Sequence, residues 1–147
     1  MLTRLNPLNF GGMSHTTPER RSVNWYLIAS LGTFALIRPL VRIIATQADL
    51  QLPAVVPVVL TLTVTGVWVA AVMVTRTDFP LLTLVLAGIT YAVLATLLSA
   101  ALSPVLDGSL AGPLANPVTV IPVILVNVLW GLLAGGLALL LIKLRSQ

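Results

Sequence analysis

Residues 80–102 have the sequence PLLTLVLAGITYAVLATLLSAAL, in which no side chain carries a charge. As a helix rising about 1.5 Å per residue, this stretch is roughly 35 Å long, which exceeds the hydrocarbon core of a bilayer, about 30 Å. Three further apolar stretches of similar length lie at residues 23–45, 53–75 and 118–142. All four are continuously apolar, whereas a transmembrane β-strand alternates polar and apolar residues. The sequence therefore predicts an all-α fold, an integral membrane four-helix transmembrane bundle.

The composition of the chain excludes several classes of protein. Mean hydropathy is +1.06 and charged residues make up 8%, against about 25% in soluble domains, so a water-soluble core is excluded. Because there is no cysteine, disulfides, thiolate catalysis and cysteine-held metal centres are excluded as well. The net charge of +4 comes from scattered basic residues rather than from a patch, so we predict no nucleic-acid partner.

Basic residues are distributed unevenly between the two sides of the predicted bundle. With both termini cytoplasmic, six of the eight lie inside, whereas Arg38 and Arg42 lie toward the outer end. Because basic residues favour the cytoplasmic side, we predict a multi-pass protein of the plasma membrane with both termini cytoplasmic. The compact chain and short loops favour a bacterial origin. The six inner residues are Arg4, Arg20, Arg21, Arg76, Lys143 and Arg145.

Local sequence predicts the segments around the spans. Residues 1–22 are polar and are predicted to form a mobile cytoplasmic arm ahead of a four-span domain at residues 23–147. Residues 103–117 contain three prolines and an Asp-Gly turn signal, so we expect an irregular outer loop. Pro39 has no amide hydrogen and frees the carbonyl of Ala35, which predicts a kink in the first span. Threonines of the second span are expected to bond to carbonyls of their own helix.

Small residues recur at helical spacing along the third and fourth spans. In lipid, such residues let two helix backbones approach closely, and this packing drives helix association. We predict that the two rows meet in an antiparallel hairpin of these spans; the alternative is a homodimer through the GxxxG of Gly131 and Gly135. The rows comprise Gly88, Ala92, Ala95, Thr96 and Ser99 in the third span, and Asn127, Gly131, Ala134, Gly135 and Ala138 in the fourth.

Arg38 and Arg42 are the strong charges within a span, and their i, i+4 spacing places them on one helix face. Arg38 lies about 10 Å below the outer end of its span, where an arginine costs about 2.5 to 3.5 kcal/mol. Three explanations are open. The side chains snorkel to outer head groups, they pair with Asp49 or Asp107, or they bind an anionic ligand.

Three polar or aromatic residues of other spans complete a candidate binding site with Arg38 and Arg42. Tyr91 lies near the middle of the third span, and Asn127 and Trp130 lie in the middle of the fourth. Together they are predicted to line a shallow pocket that opens outward. Each also has a structural explanation, since a buried Asn commonly bonds a neighbouring helix and Tyr or Trp commonly packs in the core.

The sequence predicts that the protein is not an enzyme and has no cofactor or metal. His15, the single histidine, lies in the arm, no acid lies well inside a span, and Ser99 has no evident base nearby. The favoured function is a non-catalytic accessory or assembly subunit that acts through helix packing, in a larger membrane complex or a homodimer. The alternative is a small transporter, channel or binding protein for an anionic or amphiphilic solute that uses the arginine pair. The lipid bilayer is a partner in both cases.

Overall fold

The computed structural model describes residues 22–147, and the backbone of these residues is helical or forms short connections. Within this range 78% of residues are helical and there is no strand, so the predicted all-α fold is confirmed. The predicted arm, up to residue 21, lies outside the described residues. The helices are α1 (Trp25–Phe34), α2 (Ile37–Gln47), α3 (Val55–Val74), α4 (Pro80–Asp107) and α5 (Val120–Arg145), with a 3₁₀ turn at Pro117–Thr119.

Within residues 22–147, four helical segments are long and apolar enough to cross a membrane, as predicted. The first combines α1 and α2, at Trp25–Gln47, and the second is α3. The third is Pro80–Leu106 and the fourth Pro117–Arg145. A chain with four such segments is a multi-pass membrane protein.

The third span is longer than the sequence predicted. The expectation of an irregular loop from residue 103 is wrong for residues 103–107, where α4 continues through Pro104. The helix ends at Gly108, whose φ of 69° is the left-handed conformation that closes many helices. Ser103 Oγ accepts a hydrogen bond of 2.9 Å from the backbone N–H of Ala111. The loop therefore folds back onto the extra turn and holds it in helical form.

The first span is interrupted between α1 and α2, as Pro39 predicts. Because Pro39 has no amide hydrogen, the carbonyl of Ala35 accepts instead from the N–H of Arg38, at 3.2 Å, three residues along the chain. The N–H of Leu36 likewise bonds the carbonyl of Thr33 at 3.0 Å. This tightened turn separates α1, which packs on α4, from α2, which carries both arginines.

The centre of the bundle is the contact between α4 and α5. Leu84 and Ala87 of α4 are buried there with Ala134 and Ala138 of α5. Helix α1 packs on α4, α3 packs on α5, and α2 packs on α3. Trp68 of α3 is 1% exposed, and its side chain bonds the carbonyl of Leu31 in α1, so it joins α3 to α1.

The two ends of the bundle are distinct. The start of α1 and the α3–α4 connection border one cavity, and that connection borders a second cavity with the end of α5. The start of α1 and the end of α5 therefore lie at the same end, which we call the terminal end. The α2–α3 and α4–α5 connections lie at the other, which we call the loop end.

Candidate functional site

The small-residue rows of α4 and α5 face each other within one chain. A Cβ atom placed on Gly131 would lie 2.6 Å from the carbonyl oxygen of Leu84, and one on Gly135 would lie 2.8 Å from Cα of Leu81. On Gly88 it would collide with the carbonyl oxygen of Asn127. Ala92 is also buried. Gly131 and Gly135 thus already contact α4 inside the chain, so this surface is filled without a second copy.

A cavity of about 590 Å³ lies between α2, α3 and α4, toward the loop end. We call it the Arg38 cavity. Its polar lining includes Arg38 and Arg42 of α2 and Tyr91 of α4, three of the five candidates from the sequence. Its apolar lining includes Leu50, Leu52 and Leu60, from the α2–α3 connection and α3.

Arg38 is held inside this cavity by an aromatic ring. Its guanidinium carbon lies 4.5 Å from the centroid of the Tyr91 ring, within the range of a cation–π interaction. Its Nε atom is buried and has no hydrogen-bond partner among the described residues. A contact with the ring face does not satisfy an in-plane N–H, so stacking on Tyr91 leaves the Nε donor without an acceptor among the described residues.

Asp49 has a structural role that the sequence did not reveal. Its φ is 53°, its N–H bonds the carbonyl of Thr46 at 3.2 Å, and the N–H of Leu50 bonds the carbonyl of Ala45 at 2.8 Å. These two bonds are the Schellman pattern that ends a helix, with Asp49 in the left-handed position. Its side chain is exposed, while Arg38 Nε stays without a partner in the part of the chain that is described. The pairing with Asp107 concerns a side chain outside the described ones.

Asn127 and Trp130 do not line the Arg38 cavity. Asn127 Nδ2 donates to the carbonyl of Val123, one turn earlier in α5, at 2.8 Å. Trp130 Nε1 donates to Thr65 Oγ1 of α3 at 2.9 Å, and that hydroxyl donates to the carbonyl of Thr61 at 2.8 Å. The Trp130 bond joins α5 to α3, whereas the Asn127 bond lies within α5, and both side chains are occupied. The proposed five-residue site is therefore reduced to Arg38, Arg42 and Tyr91.

Sequence reasoning missed the role of Trp68 and the leucines that line the Arg38 cavity, Leu50 and Leu52 among them. Trp68 Nε1 donates to the carbonyl of Leu31 at 3.0 Å, a bond that fixes the end of α1 next to the interruption. A tryptophan in the middle of an apolar span was a signal for such a role, because a buried indole N–H needs an acceptor. Leu50 and Leu52 carried no signal, since their position depends on the turn at Asp49.

Comparison of the chain with protein families, with curated proteins and with solved structures finds no match. Within the described residues, no group of three or more His, Asp or Glu side chains is placed to hold a metal ion. The lining of the Arg38 cavity offers two guanidinium groups, one aromatic ring, the threonines Thr46 and Thr61, and an apolar wall.

Proposed function

We propose that this protein binds an anionic amphiphile, a molecule with one anionic group and an apolar tail, in the Arg38 cavity. The observation that supports this most is the buried Nε of Arg38, which has no acceptor among the described residues. A buried donor without an acceptor is costly, and an anionic group in the cavity, bound to the rest of the guanidinium, offsets the cost of holding this charge inside the bundle. The proposed function is binding or transport rather than catalysis.

The depth of Arg38 argues against simple snorkelling. Tyr91, on which the guanidinium stacks, lies 11 residues after the first residue of α4 (91 − 80) and 16 before its last (107 − 91). At about 1.5 Å per residue, the charge is held roughly 16 Å from the terminal end of α4 and 24 Å from its loop end. A snorkelling arginine extends toward the nearer head groups. Here the side chain is retained near mid-helix, which favours a role inside the cavity.

Size and lining of the cavity fit an amphiphile. A volume of about 590 Å³ is within the range of small-molecule sites, about 300 to 1,000 Å³. The planar guanidinium of Arg38 suits a two-point contact with a carboxylate, phosphate or sulfate group, and Arg42 is one turn away on the same face. Leu50, Leu52 and Leu60 give the tail an apolar surface.

The test uses purified protein in a neutral detergent and a panel of single-chain amphiphiles of equal tail length. Alkyl phosphate, alkyl sulfate and fatty acid carry an anionic head, and an alkyl maltoside and an alkyl trimethylammonium serve as uncharged and cationic controls. At 100 times its Kd, a ligand stabilises the fold by about 2.7 kcal/mol, which thermal unfolding detects. We expect at least one anionic member to stabilise the wild type and not Arg38→Gln.

The matched control for this test is Lys143→Gln, which removes one positive charge at the terminal end. It should keep the full response to the anionic ligand. Equal stabilisation of Arg38→Gln and wild type, or none by any anion, would overturn the proposal. A response that is lost equally in Lys143→Gln would show a general charge effect.

The proposed orientation places both termini in the cytoplasm of a bacterial cell and the Arg38 cavity toward the outer half of the plasma membrane. Arg76, Lys143 and Arg145 lie at the terminal end, which supports this orientation by the excess of basic residues on cytoplasmic loops. Because the chain has no cysteine, single-cysteine labelling in intact cells is direct. An impermeant reagent should label a cysteine at Gly108 and not one at Gln147; the reverse pattern contradicts the orientation.

The accessory-subunit function remains a second proposal. It is supported by Gly66 of α3, since a Cβ there would meet no described atom within 4 Å, so an outside helix has room to approach. Under this proposal Gly66→Leu should leave the isolated protein as stable as wild type and reduce its assembly with the partner complex. Loss of stability in the isolated protein would show instead that the position packs within the chain.

A further inference from the structure

A second cavity with two arginines lies at the terminal end, opposite to the Arg38 cavity. Its volume is about 540 Å³, and it is formed by the α3–α4 connection and the last turns of α5. Its polar side includes Arg76, Thr77, Asp78 and Arg145, and its apolar side includes Leu139 and Ile142. We call it the Arg76 cavity. Guanidinium groups next to an apolar wall at a helix end are the arrangement that receives a lipid head group.

The backbone of Arg76 is strained. Its φ is 48°, and the N–H of Thr77 bonds the carbonyl of Val72 at 3.4 Å, so Arg76 occupies the left-handed position after the cap of α3. Glycine takes this conformation without strain, and an arginine does not. A strained residue that lines a cavity points to a use for its side chain.

Thr77 gives a second, independent indication of a ligand. Its hydroxyl oxygen is buried and has no hydrogen-bond partner among the described residues, although it lies next to Arg76 in the cavity lining. Most buried hydroxyl groups in proteins are hydrogen-bonded. Thr65, which is partly buried, follows that rule, because its hydroxyl donates to the carbonyl of Thr61 one turn earlier at 2.8 Å.

We infer that the Arg76 cavity binds the phosphodiester head group of a membrane phospholipid. Arg76 and Arg145 contact the phosphate oxygens. The hydroxyl of Thr77, which is buried in the unliganded protein, turns toward the cavity and donates to one of these oxygens. The acyl chains follow Leu139 and Ile142 into the bilayer. The site is at the opposite end from the Arg38 cavity, so it does not depend on the proposed function.

Asp78 narrows the choice of head group. Its carboxylate lies in the same lining as the two arginines and attracts a cationic group placed beside the phosphate. A head group that carries an amine beside the phosphate gives this carboxylate a cationic partner. We therefore expect phosphatidylethanolamine to bind more tightly than phosphatidylglycerol, and the difference to disappear in Asp78→Asn.

The experiment is native mass spectrometry of the full chain, titrated with defined diacyl lipids. Phosphatidylethanolamine and phosphatidylglycerol are compared with a diacyl glycolipid that has no phosphate. Inorganic phosphate and glycerophosphoethanolamine test whether a soluble phosphate suffices. We expect the wild type to bind the two phospholipids at least tenfold more tightly than the glycolipid, and the soluble phosphates not to compete at millimolar concentration.

Arg76→Gly is the decisive variant, because glycine keeps the turn and removes the side chain. It should unfold at the same temperature as wild type or higher, and its preference for phospholipid should fall about tenfold. Arg145→Gln should show the same loss, and Thr77→Val a loss of a few-fold. Lys143→Gln is the matched control in the same helical turn and should keep the preference.

Three results would overturn the inference. The first is equal binding of glycolipid and phospholipid by the wild type. The second is the same loss of binding in Lys143→Gln as in Arg145→Gln, which would indicate attraction by net charge alone. The third is competition by inorganic phosphate at the affinity of the lipid, which would identify a soluble anion as the ligand. Equal binding of the two phospholipids would overturn the role of Asp78.

Discussion

The α4–α5 contact and the surroundings of α2 show two opposite uses of a transmembrane helix. In the first, Gly88, Gly131 and Gly135 bring two backbones together until no side-chain atom fits between them. In the second, the arginine-bearing α2 packs on α3 and leaves a cavity of about 590 Å³ between itself and Tyr91. One pair of helices thus supplies the packing that defines the fold. The region between α2, α3 and α4 instead keeps a cavity in which two arginines can bind a polar group.

The largest effect should come from filling the α4–α5 contact. Gly131→Leu places a side chain where even a Cβ would lie 2.6 Å from the Leu84 carbonyl oxygen, so the helices must separate. We expect a loss of about 3 kcal/mol in the free energy of unfolding, measured in detergent. Gly136→Leu in the same helix is the control, because a Cβ there meets no described atom within 4 Å. If the two variants were equally stable, close contact between α4 and α5 at Gly131 would not be what stabilises the fold.

Trp68 lies between the two regions, and its substitution should have the next largest effect. Trp68→Phe keeps most of the buried ring but removes the N–H that bonds the Leu31 carbonyl. That oxygen also accepts from Ala35, so the loss should be about 1 to 2 kcal/mol rather than the full cost of an unpaired group. The control is Trp25→Phe, at a position that is 66% exposed. If both variants unfold at the wild-type temperature, the bond does not hold α1.

Substitution of Arg38 should alter ligand binding more than stability. Loss of the cation–π contact, about 0.5 to 2 kcal/mol, is offset because a charge no longer has to be desolvated, so Arg38→Gln should change apo stability by less than about 1 kcal/mol. Arg38→Lys should not restore stabilisation by an anionic amphiphile where two-point contact is required. A double-mutant cycle with Asp49→Asn measures any ion pair. Coupling above about 0.5 kcal/mol would show that the ion pair with Asp49, one of the explanations left open by the sequence, exists.

The smallest effect should be a gain in stability at the turn after α2. Asp49→Gly places glycine in the left-handed position and should stabilise the fold by up to about 1 kcal/mol. An ion pair between Asp49 and Arg38 predicts the opposite sign. Thermal unfolding of Asp49→Gly therefore shows which role Asp49 has: a higher unfolding temperature indicates a turn residue, and a lower one indicates a charge partner of Arg38.

The sequence predicted the parts of the molecule that depend on local pattern. The four spans follow from continuous apolar stretches, and the interruption of the first span follows from the missing amide hydrogen of Pro39. The sequence placed Asn127 and Trp130 in the candidate site by their depth in the membrane and not by helix face, and neither lines the Arg38 cavity. Rotation of α5 toward α3 is set by packing, and it gives Trp130 its acceptor in Thr65.

Two further features depend on tertiary contacts and left no clear pattern in the sequence. Residues 103–107 contain a proline and resemble a loop, but the bond between Ser103 and Ala111 keeps them helical. Asp49 and Arg76 resemble ordinary charged loop residues, but both adopt left-handed backbone conformations after a helix. From its charge, Asp49 was a possible partner of Arg38, whereas the structure shows that it ends α2 in a left-handed conformation.

The stacking of Arg38 on Tyr91 has a consequence for biogenesis. The first span is the least apolar of the four and carries both arginines. During synthesis Arg38 is made 53 residues (91 − 38) before Tyr91, a delay of about 3 to 10 s at ordinary rates of translation. Until α4 is made, the first span has a charge without its aromatic partner. The first span therefore gains this contact, worth about 0.5 to 2 kcal/mol, only after the third span has been made, so its packing is completed late in synthesis.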